Sequence, residues 1–114
     1  MNKMNIILSK NNNEIYNKNI DYYYDNDKIL FNDEEFDCYI INNDNIFELN
    51  RDNKDYCFNL VISSENKSFI HLKEQDIKFD IKVESAEIIK NDKKIIINYQ
   101  LETEDMITTI EINL

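Results

Sequence analysis

The chain of 114 residues contains no glycine and no proline. Glycine lets a backbone approach a phosphate closely or turn sharply, so its absence excludes phosphate-binding loops, dinucleotide-binding fingerprints and the nucleophile elbow of hydrolases. Turns must be made by other residues, and asparagine tolerates the left-handed backbone conformation best among them. The nineteen Asn residues therefore predict a fold whose turns are built on Asn and Asp.

Size and charge narrow the function classes further. A length of 114 residues is typical of one domain, so we expect a single domain over residues 1–114. Twenty-three Asp and Glu against thirteen Lys and Arg give a net charge of -10, the wrong sign for direct binding of nucleic acid. No segment approaches the roughly 20 apolar residues of a membrane span, and the start does not resemble a signal peptide. We expect a cytoplasmic protein that does not contact a membrane.

Apolar and polar residues alternate over much of the chain, with the period of two that is typical of β-strands. The clearest run, from Ile77 to Val83, predicts one half-buried strand. Twenty Ile residues favour strands as well, because their branched side chains pack well on a pleated sheet. With the shorter runs, nine to eleven strands are predicted in all. The other segments are 5–8, 14–17, 20–24, 28–32, 36–41, 46–50, 56–62, 68–72, 95–101 and 110–114.

Clusters of Asn and Asp separate these segments and predict short connections. Strands that follow one another without a helix favour an antiparallel up-and-down sheet. Closing the sheet into a β-barrel of about eight to ten strands would remove its free edges. An open sandwich is the alternative. Turns are expected at residues 25–27, 42–44, 52–53, 65–66 and 91–92.

Residues able to carry out chemistry are few and scattered. Cys38 and Cys57 are expected to remain reduced thiols. His71 is the only histidine and lies in a predicted strand with no nucleophile implied beside it, which favours a surface role over that of a catalytic base. One histidine and two distant cysteines fall short of a zinc site, and the acidic clusters lack the spacing of a calcium loop. We expect no enzyme activity, no cofactor and no metal site.

The most suggestive features are a run of tyrosines and a single arginine. In the strand segment Tyr22-Tyr23-Tyr24 at least one ring must point outward, either to contact a ligand or to pack as part of the wall. Arg51 stands alone beside twelve lysines and could bind an anionic ligand through two hydrogen bonds. The alternative is an ion pair with a neighbouring Asp. If a pocket exists, the candidate ligand-binding residues are Tyr22, Tyr24, Arg51 and His71.

From Tyr22 onward, the order of segments is similar to that of a known family. Residues 22–31 have an aromatic pair, a short turn and a strand that begins with Lys, and residues 46–53 end in an arginine and a polar turn. Residues 77–88 alternate and include the pair Glu84-Ser85. In these features the chain resembles the YwiB-like family, small bacterial proteins of unknown function. The resemblance implies a calycin (lipocalin-like) β-barrel and carries no specific chemistry.

Two functions are expected on these grounds. The first is a small non-catalytic β-barrel that binds a small apolar or amphipathic ligand, as eight-stranded barrels do. The second is an acidic protein-interaction module, or a nucleic-acid-mimicking inhibitor, whose charge of -10 meets a basic partner surface.

Overall fold

A computed structural model describes residues 2–64 and 67–114, and every regular element in these ranges is a β-strand. The all-β class predicted from the alternation of apolar residues is confirmed, and the eleven strands of the described ranges lie within the nine to eleven predicted, one more than the eight to ten expected for a barrel. The strands are β1 (Asn2–Lys10), β2 (Asn13–Asp25), β3 (Lys28–Asp33), β4 (Phe36–Asn43), β5 (Ile46–Asp52), β6 (Tyr56–Ile62), β7 (Ser68–Leu72), β8 (Ile77–Ile81), β9 (Val83–Lys90), β10 (Lys94–Leu101) and β11 (Ile107–Asn113).

The eleven strands belong to one antiparallel sheet. Their order is β8-β7-β6-β5-β4-β3-β2-β1-β11-β10-β9. Strands that are consecutive in the chain are therefore neighbours, except β8 and β9, which are the two ends of this order. Such connectivity is that of an up-and-down barrel opened between two consecutive strands, and it confirms the predicted fold class.

The chain forms two compact units, and strand β2 contributes to both. Unit 1 comprises Met1–Asp21 and Val83–Leu114, and unit 2 comprises Tyr22–Lys82. Unit 1 thus contains β1, the first part of β2 and β9 to β11. Unit 2 contains the end of β2 and the run of hairpins from β3 to β8. The single domain over residues 1–114 stays a prediction.

The core of unit 1 is built by alternation along β10 and β11. Ile95 pairs with Ile112 and Ile97 with Ile110, and all four side chains are at most 4% exposed. Burying one such side chain contributes about 1.5–3 kcal/mol, so these two cross-strand pairs contribute strongly to the stability of the unit. The residues between them, Ile96 and Glu111, point to the opposite face.

The core of unit 2 lies on one face of β3 to β6. Phe31, Ile40, Phe47 and Leu60 are buried there, and Phe47 and Leu60 have 0% of their surface accessible. A surface that a water-sized sphere cannot reach has no water-sized void against it, so both side chains are closely packed. At Phe47 and Leu60, therefore, protein atoms fill the space against this face.

Turns at positive φ are made without glycine at five described positions. Asn11 and Asn12 have φ of 48° and 66°, the pair of positive values that a two-residue hairpin turn needs, and Asn26 has φ of 57°. These positions follow the prediction from the Asn content. Asp76 at 51° follows the prediction for Asp, whereas Glu34 at 56° does not, since Glu does not mark such a turn as Asn and Asp do.

Most of the predicted turns fall on or beside connections between strands. Those at residues 25–27, 42–44, 52–53 and 91–92 do so. The side-chain oxygens of Asn53 and Asn91 each accept hydrogen bonds from two backbone amides that follow, which explains why Asn is suited to these turns. The turn predicted at residues 65–66 lies outside the described residues.

The strand predicted from Ile77 to Val83 is wrong in extent and in burial. The chain leaves β8 after Ile81, and Val83 already begins β9. Ile77 and Phe79 are 43% and 53% exposed, although their alternation predicted a buried face. Because β8 is the last strand of the sheet, it has a neighbour on one side only, and a pattern of alternation does not reveal how many neighbours a strand has.

Candidate functional site

The four predicted ligand-binding residues do not form one cluster. Register places Tyr22 and Arg51 in the same row across the sheet, three strands apart on the apolar face of unit 2. Tyr24 lies on that face too, 57% exposed, with its ring 5.6 Å from the ring of Tyr22 in an edge-on arrangement. His71 lies on the opposite face, since its partner Cys57 precedes Phe58, the partner of Arg51.

The row that contains Arg51 runs from the core of unit 2 to β8, an end strand of the sheet. Phe31 is 6% exposed near one end, and Phe79 is 53% exposed at the other. One charged residue thus stands in an otherwise apolar row. The members in order are Tyr22, Phe31, Cys38, Arg51, Phe58, Ile70 and Phe79.

Arg51 is held by an acid and by an aromatic ring. Its guanidinium nitrogen lies 3.4 Å from Asp33 Oδ2, and the side chain of Asp33 is only 6% exposed. The guanidinium carbon lies 4.3 Å from the ring centre of Phe36, which packs edge-on against Tyr56 at 5.3 Å. A buried carboxylate needs such a partner, so this geometry supports the ion-pair alternative for Arg51. Sequence reasoning did not find Asp33 or Phe36, because register is not visible in a single sequence.

The two cysteines of unit 2 are free thiols. Burial raises the pKa of Cys38 to about 11 and also raises the pKa of Cys57. The thiolate is the reactive form of cysteine, so both side chains are weak nucleophiles at neutral pH.

Cys57, His71 and Asp76 are the residue types of a nucleophilic triad, and the fold brings them near one another. Cys57 lies directly opposite His71 in the ladder, and His71 Nε2 is 3.0 Å from Asp76 Oδ1. The Cys57 sulfur, however, donates a hydrogen bond to Asn50 Oδ1 at 3.4 Å, and its raised pKa keeps it protonated. The arrangement does not activate a nucleophile.

The same face carries a hydrogen-bonded network across β4, β5 and β6. Tyr39 donates its hydroxyl hydrogen to Glu48, and the Asn59 amide donates to Glu48 at 3.2 Å and to Asn50 at 3.1 Å. Burial, reinforced by the Glu48 carboxylate, raises the pKa of Tyr39. Asn59 is buried and has its partners, so this network fixes the register of three strands rather than offering an open site.

An apolar surface remains partly open where unit 2 ends. We call it the apolar strip. Phe58, Ile70 and Leu72 are half-buried, whereas Ile77 and Phe79 are exposed. Phe58, Ile70 and Phe79 are paired in one row, and Leu72 and Ile77 are paired in the next. The strip is a continuous surface on β6, β7 and β8.

Acidic residues gather at one end of unit 2. Successive connections of a meander lie at alternate ends, so those after β3, β5 and β7 share an end. Unit 2 has fourteen Asp and Glu against seven Lys and Arg, which is a net charge of -7. Eight of these acids form what we call the acidic end: Asp33, Glu34, Glu35, Asp37, Asp52, Asp55, Glu74 and Asp76.

Within residues 2–64 and 67–114, no group of three or more His, Cys, Asp or Glu side chains is placed to hold a metal ion. The same part of the chain contains no helix that could cross a membrane. No family model matches the sequence, and neither a curated protein nor a solved structure shows significant similarity to it. The antiparallel all-β fold is compatible with a calycin-like barrel, and no family match supports the YwiB-like assignment.

Proposed function

We propose that the protein is a non-catalytic binding module and that the apolar strip takes a small amphipathic molecule. The observation that carries the proposal is the exposure of Ile77 and Phe79, 43% and 53%, on the face that elsewhere forms the core. Aromatic side chains bury about 150–250 Å², so covering the exposed half of Phe79 removes roughly 100 Å² from water. At about 25 cal/mol per Å² this contributes about 2.5 kcal/mol to binding.

The charges near the strip favour a ligand whose head group is neutral or cationic. Arg51 is already paired with Asp33, so an anionic ligand would have to break an ion pair on a buried carboxylate, at a cost of about 3–5 kcal/mol. The acidic end repels an anion as well. A role for Tyr22, Tyr24, Arg51 and His71 in ligand binding stays a prediction, and only Arg51 adjoins the strip in register.

Three probes with the same alkyl chain test this proposal: octanol, octyltrimethylammonium and octanoate. In isothermal titration calorimetry we expect octanol and octyltrimethylammonium to bind more tightly than octanoate. Phe79→Ser should weaken both by more than tenfold. Ile89→Ser is the matched control, because Ile89 is 49% exposed on β9, the other end strand, and lies outside the strip.

Two results would count against the proposal. Phe79→Ser and Ile89→Ser could weaken binding equally, which would indicate general stickiness of exposed apolar residues. Octanoate could bind best and lose affinity in Arg51→Gln, which would restore the anion-binding role for Arg51.

The second candidate, an acidic module or nucleic-acid mimic that binds a basic protein, is favoured by the acidic end. A surface of this kind steers basic partners, and its affinity falls as salt screens the charges. An octalysine peptide should bind at least tenfold more weakly at about 200 mM than at about 20 mM salt. Neutralising Glu34 and Glu35 together should reduce that salt dependence, and affinity independent of salt would reject charge mimicry.

We further propose kinship with the YwiB-like family and a cytoplasmic location. The order of an up-and-down barrel supports the first, and two free thiols support the second. Neither the strand order nor the thiols suggest an enzyme, a cofactor or direct contact with nucleic acid.

A further inference from the structure

On the face opposite its core, unit 1 carries a pocket of about 540 Å³, which we call the polar pocket after its amide and hydroxyl groups. This volume lies within the roughly 300–1,000 Å³ of small-molecule sites. The pocket belongs to neither the apolar strip nor the acidic end, because all its lining residues are in unit 1. They are Asn11, Asn12, Glu87, Asn98, Ile107 and Thr109.

Three of the lining side chains form one row across adjacent strands. Glu87 on β9 pairs with Asn98 on β10, which pairs with Thr109 on β11. The Thr109 hydroxyl donates to Asn98 Oδ1 at 2.7 Å. This bond orients the Asn98 amide, so its nitrogen is the group that can donate hydrogen to a ligand.

The turn between β1 and β2 forms the rim and is fixed to β11. The backbone N–H of Asn11 donates to the backbone carbonyl of Ile107 at 2.9 Å, and the backbone N–H of Ile107 donates to the side-chain Oδ1 of Asn11 at 3.1 Å. These two bonds hold the turn, and with it the side chain of Asn12, beside the row on the sheet. A site that is ordered before binding loses less entropy when it binds.

The chemistry of the lining matches a polyhydroxylated molecule. Four of the six described lining residues offer neutral amide or hydroxyl groups, which both donate and accept hydrogen bonds as sugar hydroxyls do. Ile107 is 50% exposed and offers an apolar surface to the C–H groups of a sugar ring. Glu87 is the one charged group in this lining, and its sign disfavours phosphates and carboxylates.

We propose that this pocket binds an uncharged saccharide of one or two rings. The amide of Asn98 and the side chain of Asn12 donate to ring hydroxyls, and Glu87 accepts from one of them. A pocket this open favours a dissociation constant of about 1 mM. This site is independent of the apolar strip.

Titration of the ¹⁵N-labelled full chain with maltose and with cellobiose, followed by amide chemical shifts, tests the proposal. At least one disaccharide should shift the signals of Asn12, Glu87, Asn98 and Thr109 saturably. Asn98→Leu should weaken binding about tenfold, because a strand residue that loses its amide leaves a ligand hydroxyl without a partner. The matched control is Gln100→Leu, since Gln100 is half-buried on the same face of β10 outside the lining.

Asn12→Gly is a second variant, which tests the proposal even if Asn98→Leu does not fold. Glycine suits the φ of 66° at this position, so the variant keeps the turn and removes only the amide. It should weaken binding several-fold. The proposal is overturned if neither disaccharide shifts these signals at roughly 100 mM, a hundredfold above the expected constant. It is also overturned if both Asn variants bind as the wild type does, or if Ca²⁺ alone produces the shifts.

Discussion

Alkaline pH should destabilise the protein through the buried thiol of Cys38. This side chain is 5% exposed and lies between Phe31 and Arg51 in the ladder. Burial raises its pKa from the ordinary 9.0 to about 11, against the opposing charge of Arg51. The Cys38 thiol therefore keeps its proton to a higher pH in the folded chain than in the unfolded chain.

The magnitude follows from the gap between the two pKa values. Between pH 9 and pH 11 the unfolded chain has released the thiol proton and the folded chain has kept it. The free energy of unfolding therefore falls as pH rises. A gap of about two units is worth about 2.7 kcal/mol. This contribution is complete below pH 9 and is lost as the pH passes the folded pKa of about 11.

Urea unfolding under reducing conditions measures the effect. Between about pH 8 and about pH 10.5 the wild type should lose about 2 kcal/mol more than Cys38→Ala. The variant is less stable throughout because of the cavity it creates, so the change with pH is the readout. Cys57→Ala should keep most of the wild-type loss because it retains Cys38. Equal losses in Cys38→Ala and the wild type would refute the reasoning.

Three further predictions concern the free energy of unfolding, measured in each case by urea denaturation. Arg51→Met should lower the free energy of unfolding by about 3 kcal/mol. Adding Asp33→Asn should recover part of that loss, because both charges of the ion pair are then removed. If nothing is recovered, the ion pair is not the cause of the loss. Glu34→Gly should raise the free energy of unfolding by about 0.5 kcal/mol, because relief of a positive φ exceeds the entropy cost of glycine. Phe47→Ala should lower it by about 3–5 kcal/mol and Phe79→Ser by at most about 0.5 kcal/mol; similar losses would contradict the assigned burial.

The strands were predictable where one face is buried and the other is in water. Ile110 and Ile112 alternate with polar neighbours on a strand that lies between two others, and both are buried, so the alternation is there a direct record of burial. The same alternation at Ile77 and Phe79 was misleading. Periodicity reports which residues share a face, and a further layer or neighbour decides whether that face is covered.

The candidate sites depend on register, which a single sequence does not contain. Arg51 was recognised as unusual, but its partner Asp33 is eighteen positions away and two strands across the sheet. Likewise the pairing of Cys57 with His71 follows from the length of one hairpin. The residues of the polar pocket come from four separate segments, and each is an ordinary surface residue when considered alone.

The pairing of β1 with β11 determines the order in which the two units can form. The Asn113 amide donates to Asn5 Oδ1 at 3.1 Å, across 108 positions of sequence. Closing a loop of that length costs roughly 2 kcal/mol more entropy than closing a hairpin of about ten residues. Unit 2 consists of hairpins between consecutive strands and can assemble while the chain is still being synthesised. Unit 1 has to wait for β11 to leave the ribosome, so the polar pocket forms last.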